Sequence, residues 1–143
     1  MTTLYDKALV FAEKAHTGQK RKFTGEDYIM HPLAVAWMVE GKDAKVVALL
    51  HDVLEDTDVT LNELSRGFPA RIVNAVKNLT RNSGETYEGY IYCMRYHPLA
   101  RRVKIADLRH NMSTLPAGHS LKKRYRAALK VLEGVEELEV SDE

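Results

Sequence analysis

Leu49-Leu50-His51-Asp52-Val53-Leu54-Glu55-Asp56-Thr57 sets a histidine and an aspartate side by side in an apolar run, with two more acids one helical turn further on. No period-two alternation marks a strand here, and the run reads as helix. On a helix Glu55 follows His51 by four residues and Asp52 by three, while Asp56 follows Asp52 by four, so these groups share one face. The flanking Ala48-Leu49-Leu50 and Val53-Leu54 are core material. Buried acids are costly unless a cation neutralises them, and a divalent metal does so economically. A metal with open coordination positions points to hydrolysis.

Working outward, the pattern stays helical. Leu4, Ala8, Phe11, Ala12 and Ala15 form a 3.6-residue stripe over Thr3 to Ala15. Gly18 ends it, and Gln19 to Asp27 is a basic loop that turns at Gly25. His31-Pro32 opens a second helix that runs to about Glu40, capped by Gly41. Asp43 is the expected N-cap of a third helix, continuous through Ala48 and Asp52. Thr60-Leu61-Asn62-Glu63 has capping-box spacing, and Pro69 starts another helix through Val76. Tyr87 to Arg95, Leu99 to Met112 and Leu121 to Glu137 complete the series, with fraying expected at Ser141-Asp142-Glu143. The fold class is all-α, with about seven or eight helices around a single core. At 143 residues the chain is expected to be one domain, residues 1–143. Trp37, with Val35, Met38 and Val39, is expected in the core, as is Cys93; His16, His97 and His119 are expected at the surface or at helix ends, and His110 in a core hydrogen bond.

The bulk properties exclude several classes. A net charge of +1 gives no global attraction to a nucleic-acid polymer or a membrane surface. A single cysteine, Cys93, permits neither an intramolecular disulfide nor a thiolate metal cage. No apolar run approaches the ~20 residues that span a bilayer. The N-terminus lacks the pattern of a signal peptide. A cytoplasmic protein is expected. A homo-oligomer is compatible with the sequence.

Four residues are candidate metal ligands: His31, His51, Asp52 and Asp107. Two imidazoles and two carboxylates favour Mn²⁺, Fe²⁺, Zn²⁺ or another first-row divalent ion over calcium. With a metal in place, some of the converging acids can ligate while Glu55 and Asp56 stay free for proton transfer. In Val103 to Thr114, the residues Lys104, Asp107, Asn111 and Thr114 fall at intervals of three, four and three. That stripe joins a cation, an acid, an amide and a hydroxyl, a mixture suited to phosphate and sugar. In the loop Lys20-Arg21-Lys22, Arg21 and Lys22 are a candidate anion clamp.

Taken together, the order His31, then His51-Asp52, then Asp107 resembles the HD-domain phosphohydrolases. Arg21-Lys22, Gly25 and Tyr28-Ile29-Met30-His31-Pro32 resemble the opening motif of the RelA/SpoT-type alarmone hydrolase branch. Leu50 to Thr57 is similar to that branch's His-Asp and Glu-Asp motif, and Val103 to Met112 to its late-Asp motif. The resemblance runs over roughly positions 4 to 115. It implies an HD-domain helical bundle and Mn²⁺-dependent removal of the 3′-pyrophosphate from guanosine tetra- and pentaphosphate, a small-molecule nucleotide. By position it implies that His31, His51, Asp52 and Asp107 hold the metal. Glu55 and Asp56 then manage the water and leaving-group protons, Arg21 and Lys22 hold the nucleotide, and Asn111 and Thr114 face ribose and phosphate. Lys104 and the basic loop offset phosphoryl charge.

The family's proline before the Tyr-Ile pair is Asp27 here, and Phe23-Thr24 replaces a more polar loop. An added acid beside an anion site bears on which nucleotide binds. Another small-nucleotide phosphohydrolase, acting for instance on NADPH or a nucleoside mono- or triphosphate, and a non-catalytic metal-bound sensor are therefore the alternatives. A stand-alone hydrolase without a synthetase domain is the expectation.

Overall fold

The computed structural model describes residues 2–141, with side chains described to residue 138. Among the described residues nine helical segments follow in chain order: α1 (Leu4–Ala15), α2 (Met30–Met38), α3 (Lys42–Leu50), α4 (Val53–Asp56), α5 (Leu61–Gly67), α6 (Ala70–Asn78), α7 (Tyr87–Met94), α8 (Pro98–Thr114) and α9 (Leu121–Ser141). α4 is a single four-residue turn. There is no strand among the described residues; one antiparallel bridge, Lys20 to Asp27, closes the basic loop. Among the described residues no helix is long and apolar enough to cross a membrane. Of the three terminal residues expected to fray, Asp142 and Glu143 lie outside the described residues.

α3 lies at the centre. Ala44 and the run Val46 to Leu50 are buried, and α1, α2, α6 and α8 pack around it. This run is apolar on every side because it is covered on every side. α1 starts at a capping box between Thr3 and Asp6, Thr60 caps α5, and Pro98 occupies the first turn of α8. Arg101 on α8 is buried. Its Nε donates to Glu136 on α9 at 3.0 Å, and its Nη1 donates to the carbonyl of Arg95. A charge this deep is tolerable because it is paired and hydrogen-bonded.

Several expectations are corrected. Gly41, at φ +96°, is the N-cap of α3 and turns the chain out of α2 in a conformation that favours glycine. Asp43 lies inside the first turn and pairs with Arg71 at 2.9 Å. The third helix does not run through to Asp52. The His51 ring takes the Ala48 carbonyl at 2.6 Å, the acceptor that the Asp52 N–H would use in a continuous helix, and the chain turns there before α4. Trp37 is 87% exposed: Val35 and Ala36 face the core, and Trp37 lies on the opposite side of α2. Cys93 is exposed on α7 beside Tyr92, while Tyr90, Ile91 and Met94 face inward. His16 ends α1 but is buried, its ring against Tyr28.

Candidate active site

The first turn of α2, the α3–α4 turn and the middle of α8 converge at one point. His31 Nε2 lies 2.7 Å from Asp107 Oδ1; His51 Nε2 lies 3.2 Å from the same oxygen and 3.0 Å from Asp52 Oδ2. His31 Nε2 and Asp52 Oδ2 are 3.9 Å apart. One donor atom from each of the four residues falls within 4.8 Å of every other. His31, His51 and Asp107 are buried, and Asp52 is half-buried.

This donor set fits a divalent ion of the nitrogen/oxygen type. The proton positions fit as well. His51 Nδ1 donates to the Ala48 carbonyl, so Nε2 is the nitrogen aimed at the cluster; it faces carboxylate oxygens that only accept, and a bound cation would take the place of the hydrogen it donates to them. The Arg21 guanidinium can only donate, and its Nη1 lies 3.1 Å from His110 Nδ1. His110 Nδ1 is therefore an acceptor, and the His31 Nδ1 that meets it at 2.7 Å carries the hydrogen. His31 Nε2 likewise points inward and donates to Asp107 Oδ1 at 2.7 Å, a hydrogen that a bound cation would replace.

Electrostatics point the same way. Burial alone would raise the Asp107 carboxyl, but Lys104 and His51 hold it well below the usual range. Asp52 is likewise lowered: burial opposes the shift and His51 drives it. Burial would depress His51, yet Asp52 and Asp107 together push it well above its ordinary value. The two carboxylates thus create a strong demand for positive charge. Lys104 meets part of it from one side, Nζ to Asp107 Oδ2 at 2.9 Å, and Asn111 donates to Asp107 Oδ1 at 3.1 Å.

Glu55 and Asp56 are exposed at the rim, on the single-turn α4. Both carboxyls are raised, by partial burial first and then by the neighbouring Asp52 charge. The Tyr28 hydroxyl donates to Asp52 Oδ2 at 2.6 Å and lies 3.5 Å from Asp56 Oδ2. Burial and the Asp52 charge raise the Tyr28 phenol, which keeps it a donor.

Beside the cluster is a cleft of about 220 Å³, lined by Arg21, Lys22, Phe23, Tyr28, Asn111 and Thr114 among others. Arg21 Nη2 donates to Asn111 Oδ1 at 3.1 Å and to Thr114 Oγ1 at 2.8 Å, so the guanidinium is fixed as a flat cationic wall. Of the five residues expected to contact substrate, Arg21, Lys22, Asn111 and Thr114 meet at this cleft. Lys104 sits away from it, against Asp107 and the Tyr90 ring. Asp27 is ion-paired with Lys20 on the outer side of the loop, which offsets the acid's charge. Tyr28 and His110 join the cluster through contacts that the sequence does not mark. Their partners lie 24 and 79–89 residues away, so no local pattern marks them.

The HD domain family profile matches residues 8–89. The guanosine-3′,5′-bis(diphosphate) 3′-pyrophosphohydrolase of Aquifex aeolicus is 37% identical over an alignment of 121 positions that covers 76% of this chain and 17% of that protein. A probable enzyme of the same name from Synechocystis is 36% identical over 133 residues, 82% of this chain and 17% of that protein. A GTP pyrophosphokinase of Myxococcus xanthus is 34% identical over an alignment of 145 positions that covers 89% of this chain and 19% of that protein. The chain thus spans under a fifth of the length of these relatives. Among solved structures, a metazoan ortholog of SpoT, described as hydrolysing ppGpp and acting in starvation responses, superposes with a TM-score of 0.73. It is 21% identical, covering 94% of this chain and 86% of that one, and shares the fold.

Proposed function

This chain belongs to the HD-domain family, and from that premise we propose that it is a metal-dependent phosphohydrolase that removes the 3′-pyrophosphate of guanosine tetra- or pentaphosphate. The observation that carries the reading is the juxtaposition of the His31, His51, Asp52 and Asp107 cluster with the Arg21-walled cleft. Similarity to proteins named for this hydrolysis supports it. The similarity to a pyrophosphokinase concerns under a fifth of that protein, and a cluster of imidazoles and carboxylates suits attack by water.

His31, His51, Asp52 and Asp107 would hold Mn²⁺, with Fe²⁺ or Zn²⁺ as alternatives. When bound, the ion supplies a Lewis acid that makes water nucleophilic near neutral pH. Glu55 and Asp56, with carboxyls raised toward the working pH, are suited to take the proton from water and return one to the leaving oxygen. Attack at the phosphorus bonded to the ribose 3′ oxygen breaks that P–O bond. Pyrophosphate departs and the 3′ oxygen, once protonated, becomes a hydroxyl. Arg21 stacks on or forks to the nucleotide, Lys22 supplies a mobile positive charge, and Asn111 and Thr114 set the orientation of Arg21 while facing the ribose.

Metal-stripped protein should be inactive, and Mn²⁺ should restore release of pyrophosphate and GDP from guanosine tetraphosphate. The same incubation should include NADPH and nucleoside mono- and triphosphates, with products separated by chromatography. Inorganic phosphate from one of these, with the tetraphosphate untouched, would overturn the substrate assignment. Bound metal with no turnover of any of them would overturn the enzyme assignment.

A further inference from the structure

Behind Tyr28, the end of α1 carries a buried histidine to which the reaction above gives no role. His16 is the C-cap of α1 and is 3% exposed. Its Nδ1 meets Gln19 Oε1 at 2.7 Å, and Gln19 Nε2 donates to the backbone carbonyl of Asp56 at 2.7 Å, across 37 residues of chain. Because the Gln19 NH₂ is committed to Asp56, its oxygen faces His16 and the imidazole Nδ1 is the donor. Nε2 is then a bare acceptor. It is buried and has no hydrogen-bond partner among the described residues. One ring face of His16 packs on Tyr28, with centroids 4.7 Å apart and planes tilted by 35°. Tyr28 in turn donates to Asp52. A single side chain therefore backs two acids, Asp56 through an amide and Asp52 through a phenol.

For packing alone, histidine is a poor choice here. An unpaired buried polar atom costs about 1–3 kcal/mol, and an apolar side chain of similar size carries no such penalty. Local choices that cost stability concentrate where a site needs them.

We propose that His16 is a positioning residue: its ring steadies Tyr28 and so Asp52, and its Nδ1 steadies Gln19 and so Asp56. The proposal rests on the phosphohydrolase reading above for what those two acids do.

The test uses the full chain and three substitutions. His16→Leu removes both contacts and also the orphan nitrogen, His16→Phe returns only a ring against Tyr28, and His16→Asn returns only a donor toward Gln19. Melting temperature, Mn²⁺ affinity by calorimetry, and kcat and KM on guanosine tetraphosphate are compared with wild type. His16→Leu should melt close to wild type, bind Mn²⁺ about tenfold more weakly and lose about tenfold or more in kcat, with KM nearly unchanged. Mn²⁺ affinity should recover in His16→Phe, and kcat should recover more in His16→Asn. A folded His16→Leu that binds Mn²⁺ as wild type does would overturn the proposal. Should His16→Leu fail to fold, His16→Phe and His16→Asn decide, and equal Mn²⁺ affinity and equal kcat in the two overturn it. If wild type binds Mn²⁺ but leaves guanosine tetraphosphate uncut, the substrate reading fails by itself and the calorimetric comparison still decides the role of His16.

Discussion

Lys104 and Asp107, one turn apart on α8, are joined Nζ to Oδ2 at 2.9 Å, with side chains only 15% and 4% exposed. The Asp107 carboxyl is depressed in the folded protein. Its contribution to stability is therefore present above the ordinary carboxyl pKa and is lost as pH falls toward the folded value. Lys104→Met leaves the acid without its lysine partner. Breaking a buried pair costs about 3–5 kcal/mol, and His51 beside Asp107 should hold the loss near the lower figure. Metal-free Lys104→Met should unfold in acid at a higher pH than wild type. Chemical denaturation at pH 7 checks the size, and a loss under about 0.5 kcal/mol would show that the pair is not what holds Asp107.

The ligand cluster and the rim acids should separate experimentally. Asp52→Ala removes an oxygen 3.0 Å from His51 Nε2 and should abolish Mn²⁺ binding seen by calorimetry. Glu55→Gln and Asp56→Asn leave all four ligand side chains in place. They should bind Mn²⁺ normally, and the one that serves as base should lose about 10²–10⁴-fold in kcat. Because both rim carboxyls are raised, the acid limb of wild-type turnover should lie at higher pH than for an ordinary carboxyl base. Full rate in both variants at saturating metal would remove these two acids from the mechanism.

The cluster was legible in the sequence because His51 and Asp52 interrupt an otherwise apolar run, and a polar pair in core-like surroundings requires a partner. Elsewhere the pattern is silent. Ala34-Val35-Ala36-Trp37-Met38-Val39 has no polar residue to mark which side of α2 meets water, so periodicity could not place Trp37 outside. The end of α3 carries no glycine or proline; it is the His51 ring, by taking a backbone carbonyl, that interrupts the helix. Tyr28, His16 and His110 owe their settings to contacts with remote segments, which spacing along one element cannot reveal.

His110 should leave a pH signature in stability. Burial first, then the charges of His31 and Arg21, lower its pKa from 6.5 to about 4. In the unfolded chain it takes up a proton near its ordinary value, whereas the folded protein keeps it neutral until about pH 4. Its contribution is therefore full above pH 6.5 and is lost as pH falls to about 4. His110→Gln removes this term. Between those two pH values the melting temperature of the metal-free variant should fall by several degrees less than that of wild type. Parallel curves would mean that His110 is not held neutral.

Arg21 tests the cleft. Its two terminal nitrogens are fixed by His110, Asn111 and Thr114, so the guanidinium is ordered before any ligand arrives. Lysine keeps the charge but has neither the flat fork nor the reach to satisfy three acceptors at once. Arg21→Lys should therefore raise KM for guanosine tetraphosphate about tenfold or more, as expected for loss of one or two charge-assisted contacts, with kcat changed far less. Mn²⁺ affinity should stay within about threefold of wild type, because Arg21 touches no ligand directly and reaches the cluster only through intermediaries, His110 to His31 and Asn111 to Asp107. A large fall in kcat at unchanged KM would instead place Arg21 at the reacting phosphate, and the cleft would then hold a different part of the nucleotide.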